Sequence, residues 1–114
     1  MDVGCGLGGY MMTLAEQFPN IQFHGVEIDQ DVCRRANEAN SFQNVSIDQG
    51  DFKEMRFRKG YHTVMFNNIL YYFTVVERLA LIKKSNGCIE KKGRNHTYHA
   101  TRRWKAWQTL CQCV

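Results

Sequence analysis

The sequence predicts one α/β domain with a mostly parallel sheet, and three observations carry that prediction. Strand-like apolar runs alternate with stretches of helical spacing through the first 84 residues, a glycine-rich loop stands at the first strand-to-helix junction, and carboxylates recur where the strand-like runs end. With 114 residues, 44% of them hydrophobic, the chain can enclose one core and not two.

The elements follow in order. Gly4-Cys5-Gly6-Leu7-Gly8-Gly9 stands where strand becomes helix, although the chain has no full strand ahead of it. Gly9 to Phe18 has helical apolar spacing in Tyr10, Met11, Leu14, Ala15 and Phe18, and Pro19-Asn20 ends it. Ile21 to Ile28 is the second strand, with Gly25 marking a close approach, and Asp29 caps a helix through Asn40. Asn44 to Gln49 alternates Val45 and Ile47 with polar residues as a half-buried strand does, and Gly50-Asp51 turns it. Tyr61 to Phe66 supplies a fourth strand. Thr74 and Glu77 then form a capping box for a helix to Lys84, with Val75, Val76, Leu79 and Ile82 as its apolar face.

Charge divides the chain. Residues 1–84 hold nine Lys/Arg against ten Asp/Glu, whereas residues 85–114 hold six against one, so the net charge of +4 comes from the last thirty residues. No apolar run approaches the ~18 residues of a membrane helix, and no basic-then-apolar leader follows Met1. Cys5, Cys33, Cys88, Cys111 and Cys113 lack the spacing of a disulfide framework, which fits free thiols and a cytoplasmic location.

The glycine loop admits two ligands. Glycines there accept positive φ and let a ligand approach the backbone, and the helix start offers unpaired N–H groups. Gly4, Gly6 and Gly9 also satisfy the dinucleotide pattern G-x-G-x-x-G. Asp2 tilts the balance, because a carboxylate beside the loop repels a pyrophosphate and attracts a ligand with an ammonium and a sulfonium. Glu27, about 20 residues beyond the loop, stands where a carboxylate accepts from ribose hydroxyls under either reading. Asp51 ends the third strand where it can accept from an adenine amino group, with Phe52 as an apolar contact, and Asn67-Asn68 ends the fourth.

With these pieces in order, residues 2–84 resemble a class I S-adenosylmethionine-dependent methyltransferase: DVGCGLGG for the donor loop, GVEID for the ribose acid, GDF for the adenine side and MFNNILYYF after strand four. The resemblance implies a Rossmann-like three-layer sandwich, incomplete at both ends, and S-adenosyl-L-methionine as cofactor. It puts Gly4, Gly6 and Gly8 around the methionine moiety, with Asp2 near its ammonium. Glu27 falls on the ribose, Asp51 and Phe52 at adenine, and Asn67 beside the methionine end. Enzymes of this superfamily that methylate exocyclic amino groups of nucleic acid bases carry an N-P-P-Y-like sequence where this chain has Asn67-Asn68-Ile69-Leu70, a departure that favours a small-molecule acceptor. Two alternatives stand beside it: a donor-binding remnant without catalysis, and a nucleic-acid-binding or nucleic-acid-methylating protein using the basic segment around Trp104 and Trp107. No catalytic residue is named and no metal site is expected, since His96, His99, Cys111 and Cys113 match no common zinc spacing.

Residues 1–84 are thus expected to be a partial methyltransferase domain and residues 85–114 an atypical basic tail, out of the family's reading frame or without fixed structure. Synonymous codons for Glu90 to His99, regrouped by one nucleotide, can spell the glycine turn and apolar strand that the family has there. Met1 stands where the family has an apolar residue of strand one, so a late start in a longer gene is expected as well.

Overall fold

The computed structural model describes residues 1–57, 60–90 and 99–101. They group into two units, Met1–Met55 and Arg56–Val114.

In the first unit, β1 (Asp2–Val3), α1 (Gly9–Gln17), β2 (Phe23–Glu27), α2 (Gln30–Ala39) and β3 (Val45–Gln49) alternate as the sequence predicts. All three strands are parallel with β2 in the centre. Asp2 pairs with Gly25 and Val3 with Val26, while β3 pairs along β2 from Phe23↔Val45 to Glu27↔Gln49. Parallel pairing sends every strand's carboxyl end to one edge, so the segments after Val3, Glu27 and Gln49 share a rim.

The core of this unit follows from small residues set opposite large ones. Met11 and Ala15 from α1, Cys33 and Ala36 from α2, and Val45 and Ile47 from β3 form one buried cluster, with Cys5, Met12, Phe23 and Phe42 packed on it. Alanines and a cysteine on the two helices allow close approach, and Met11 fills the space they leave. Gly25 is necessary here: a Cβ at that position would collide with the Met11 methyl and lie 2.6 Å from the Cys5 sulfur.

Helix ends match their chemistry. The Asp29 side chain accepts from the Val32 N–H at 2.9 Å and caps α2, as predicted. α1 begins differently, on Gly8 in the left-handed region with no side-chain cap and no acidic residue in its first turn. Ile21 and Ile28, expected inside the second strand, flank it instead and are 51% and 61% exposed.

The second unit holds β4 (Met65–Asn67), a 3-10 turn (Leu70–Tyr72), α3 (Val75–Cys88) and β5 (His99–Thr101). β4 and β5 are parallel, with Phe66 opposite Ala100. The fourth strand is shorter than predicted: Tyr61 makes only an isolated parallel bridge to Ile89. The capping box is present, since Thr74 Oγ1 accepts from the Glu77 N–H and Glu77 Oε2 accepts from the Thr74 N–H at 2.9 Å. α3 continues four residues beyond the expected end at Lys84, and its buried face is Leu81, Ser85 and Cys88. The face expected from spacing is corrected accordingly, because Val75, Val76 and Leu79 are 67%, 77% and 63% exposed. The run Val75 to Ile82 is apolar on most sides, so periodicity alone does not fix which side turns inward. Within the basic tail, β5 is described as backbone, and Trp104, Trp107, His96, Cys111 and Cys113 lie outside the described residues.

Candidate functional site

The glycine loop of the first unit is built by backbone bonds at its two ends. The N–H groups of Gly4 and Cys5 both donate to the Val26 carbonyl, at 2.8 and 3.1 Å, so the chain leaves β1 still attached to β2. It then folds back, with the Gly8 N–H donating to the Cys5 carbonyl at 3.0 Å. Gly4, Gly6 and Gly8 have φ of 69°, 56° and 74°, a region that costs side-chain-bearing residues energy; Gly9, the third glycine of the dinucleotide pattern, is not among the positive-φ glycines. Their surroundings differ. A Cβ on Gly8 would sit 2.9 Å from Ile47 Cδ1, whereas one on Gly6 meets nothing within 4 Å, so the middle of the loop borders open space.

Glu27, the last residue of β2, reaches this loop. Its Oε2 accepts from the Gly6 N–H at 2.8 Å and its Oε1 from the Asp29 N–H at 3.0 Å. The sequence identified Glu27 and the glycines separately, as neighbours of one ligand; the structure joins them directly. No local pattern could have disclosed a contact across 21 residues.

Asp51 follows on the adjoining strand end. The Gly50 N–H donates to the Glu27 carbonyl at 2.9 Å, which extends the β2–β3 pairing to the start of the turn. Asp51 Oδ1 accepts from the Lys53 N–H at 2.8 Å, and its carbonyl accepts from the N–H groups of Glu54 and Met55. Oδ2 lies 3.8 Å from Lys53 Nζ. The carboxylate is thus half-buried and oriented by its own turn. Phe52 is only 5% exposed, which leaves little of its ring for the ligand contact expected of it; its apolar surface is used in packing.

Asp2 is the most unusual group of the site. It is 2% exposed, and its Oδ1 has no hydrogen-bond partner. Burial pushes its carboxyl up to about 6, against the opposing pull of the Met1 ammonium. A buried carboxylate oxygen without a donor is costly, and a cationic group or an N–H donor at that oxygen would relieve the cost. Cys5 is the counterpart: burial, followed by the negative fields of Asp2 and Glu27, pushes its thiol up to about 12, so it stays protonated and serves as a small packing group.

Asn67 is the last residue of β4 in the second unit and is half-buried. The next residue, Asn68, has φ of 57°, an uncommon conformation that asparagine tolerates well. Among the described residues no group of three His, Cys, Asp or Glu side chains is arranged to hold a metal, and no helix is long and apolar enough to cross a membrane.

Comparison with known proteins adds three findings. A family model described as a methyltransferase domain matches residues 1–93. Two curated relatives are tRNA (guanine-N(7)-)-methyltransferases. The one from Rubrobacter xylanophilus is 41% identical over 59 residues, covering 48% of this chain and 26% of the relative. The one from Scheffersomyces stipitis is 35% identical over 80 residues, covering 57% and 26%. The chain therefore spans about a quarter of the length of these relatives. Among solved structures, the plantazolicin methyltransferase BpumL in complex with a pentazolic desmethylPZN analog and SAH superposes with a TM-score of 0.74 at 17% identity, over 87% of this chain and 36% of that one. The magnesium protoporphyrin IX methyltransferase of Synechocystis PCC 6803 with bound SAM gives 0.66 at 19% identity, over 78% and 43%. The fold is thus of the Rossmann-like α/β type predicted from the sequence.

Proposed function

The chain belongs to the methyltransferase-domain family, and on that premise we propose that it binds S-adenosyl-L-methionine and transfers its methyl group to a base of RNA. Donor binding rests chiefly on one observation, the buried Asp2 Oδ1 without a hydrogen-bond partner beside a loop of three left-handed glycines. Those residues fit the donor: Asp2 would accept from its ammonium, Glu27 from the ribose hydroxyls and Asp51 from the adenine amino group, while Gly6 leaves room for its chain. In this reading residues 1–84 are part of the donor-binding domain, and the basic residues are concentrated in 85–114, whose first residues complete α3.

When bound, the donor would supply an electrophilic methyl group with a thioether as leaving group. The chain's part is to hold the donor rigidly and to exclude water around it, which is where most of the acceleration arises in such a displacement. The small-molecule acceptor favoured by the departure from N-P-P-Y gives way to RNA because both curated relatives named above are tRNA methyltransferases. Six basic residues against one acid in residues 85–114 suit a phosphate backbone. A ring nitrogen such as guanine N7 has a lone pair and no proton, so its methylation requires no general base.

Titration calorimetry with S-adenosylmethionine on the wild type and on Asp51→Ala tests the donor half. Heat with the wild type that falls about tenfold or more in affinity with the variant is expected, and a folded wild type that takes up no donor refutes it. Transfer of labelled methyl to a tRNA transcript tests the acceptor half; label reaching only a small molecule refutes it.

A further inference from the structure

We propose that Glu27 is a positioning residue as well as a ligand-binding one: its carboxylate pins the middle of the glycine loop and gives the loop its shape before any ligand arrives. What the shaped loop receives rests on the donor-binding reading above; the pin itself does not. The loop is tethered at both ends, by Gly4 and Cys5 on the Val26 carbonyl and by Gly8 on the Cys5 carbonyl. Between those tethers lies Gly6, with φ of 56° and nothing within 4 Å of where its Cβ would be. Packing therefore does not hold it, and a glycine has the most conformational freedom to lose. Leu7 beside it is 48% exposed and gives no anchor.

The Gly6 N–H donates to Glu27 Oε2 at 2.8 Å, and the other oxygen of the same carboxylate accepts from the Asp29 N–H at 3.0 Å. One side chain thus ties the loop to the first residues of the turn into α2, whose cap is Asp29 itself. Both bonds go to an ionised acceptor, the stronger class of hydrogen bond. A carboxylate has about four acceptor positions, so two remain for ribose hydroxyls after both amides are served. Pin and ligand contact can operate together, and the ligand meets a loop whose ordering cost is already met.

The test separates the pin from the ribose contact. Amide hydrogen exchange by NMR is measured on the ligand-free chain and on Glu27→Gln, in which one of the two amides faces an NH2 donor. Affinities are then measured for S-adenosylhomocysteine and for its 2′,3′-dideoxy analogue, which has no ribose hydroxyls for Glu27 to accept. The expected results are Gly6 exchange faster by about tenfold or more with circular dichroism unchanged, and weaker binding of both ligands. Unchanged Gly6 exchange in a folded variant overturns the proposal. So does an unchanged affinity for the dideoxy analogue alongside a loss for the parent ligand, since Glu27 would then be a ribose acceptor alone. If the wild type binds neither ligand, the donor reading fails while the exchange measurement still decides the pin. Should Glu27→Gln not fold, Gly6 exchange is measured on Glu27→Asp, whose shorter side chain withdraws the carboxylate; faster exchange supports the pin and unchanged exchange overturns it.

Discussion

The side-chain amide of Asn44 holds the carbonyl of Ile21: its Nδ2 donates there at 3.0 Å and also to the Phe18 carbonyl at 3.3 Å. Asn44 immediately precedes β3, so this one amide closes the unsatisfied end of α1 and fixes the turn into β2. Replacing it by alanine removes both bonds, while the Phe18 carbonyl keeps the Ile21 N–H at 3.0 Å, so Asn44→Ala is expected to cost about 0.5–1.5 kcal/mol. Urea unfolding of the purified chain reads this directly. A cost under about 0.5 kcal/mol would mean that water serves the carbonyls equally well.

Asn44 also shows which features were legible in the sequence. Its role joins residues 23 and 26 positions apart, and nothing in the local composition announces it. The same holds for the bond from Gly6 to Glu27. By contrast, the Asp29 cap and the capping box of Thr74 and Glu77 are local chemistry with fixed spacing, and the structure has both in place; the glycine run announces positive φ, but not which of its glycines adopt it. Rim positions are legible because parallel strands must end on one edge, which puts Glu27 and Asp51 at the ends of neighbouring strands. The face of α3 was not legible, since an apolar run longer than one helical turn satisfies more than one phase.

That helix provides the second prediction. Leu81 is 2% exposed and Leu79 is 63% exposed, although both belong to the same apolar run. Leu81→Ala is therefore expected to cost about 2–5 kcal/mol, and Leu79→Lys to change stability by no more than about 0.5 kcal/mol. Thermal or urea unfolding of the two variants compares them. The reverse order would place the inward face of α3 where the spacing alone had put it.

Gly6 and Gly8 should separate stability from binding. Both have positive φ, so an alanine at either costs roughly 1–2 kcal/mol in backbone strain. At Gly8 the new methyl also presses on the terminal methyls Ile47 Cδ1 at 2.9 Å and Met12 Cε at 3.3 Å, which must move aside. Gly8→Ala is accordingly the more destabilising of the two in urea unfolding. Gly6→Ala puts its methyl into open space, at the residue whose N–H bonds the Glu27 carboxylate, so its larger effect should be on donor affinity, measured by calorimetry. Equal unfolding midpoints for the two variants would contradict the packing at Gly8.

Asp2 gives a prediction whose sign depends on ligand. Its carboxyl rises from 3.8 to about 6 because burial strips its water, with the Met1 ammonium acting the other way. Between those values the folded chain holds a proton that the unfolded chain has lost. Stability therefore falls as pH rises from about 4 to 6, and a penalty of about 3 kcal/mol persists above that window. Asp2→Asn removes the ionisation. Without ligand it should be the more stable protein at pH 7.5, by somewhat less than that penalty because the Met1 ammonium loses its counter-charge. It should also lack the wild type's decline across the acidic window. With S-adenosylmethionine the order reverses: the wild-type carboxylate gains a cationic partner and its affinity climbs as pH passes about 6, whereas the asparagine variant binds more weakly with a flatter profile. Urea unfolding at pH 4.5 and 7.5, paired with calorimetry across the same range, measures both halves. A variant less stable than wild type at pH 7.5 without ligand would show that Asp2 is already compensated in the folded chain and that its unpartnered oxygen has no bearing on donor binding.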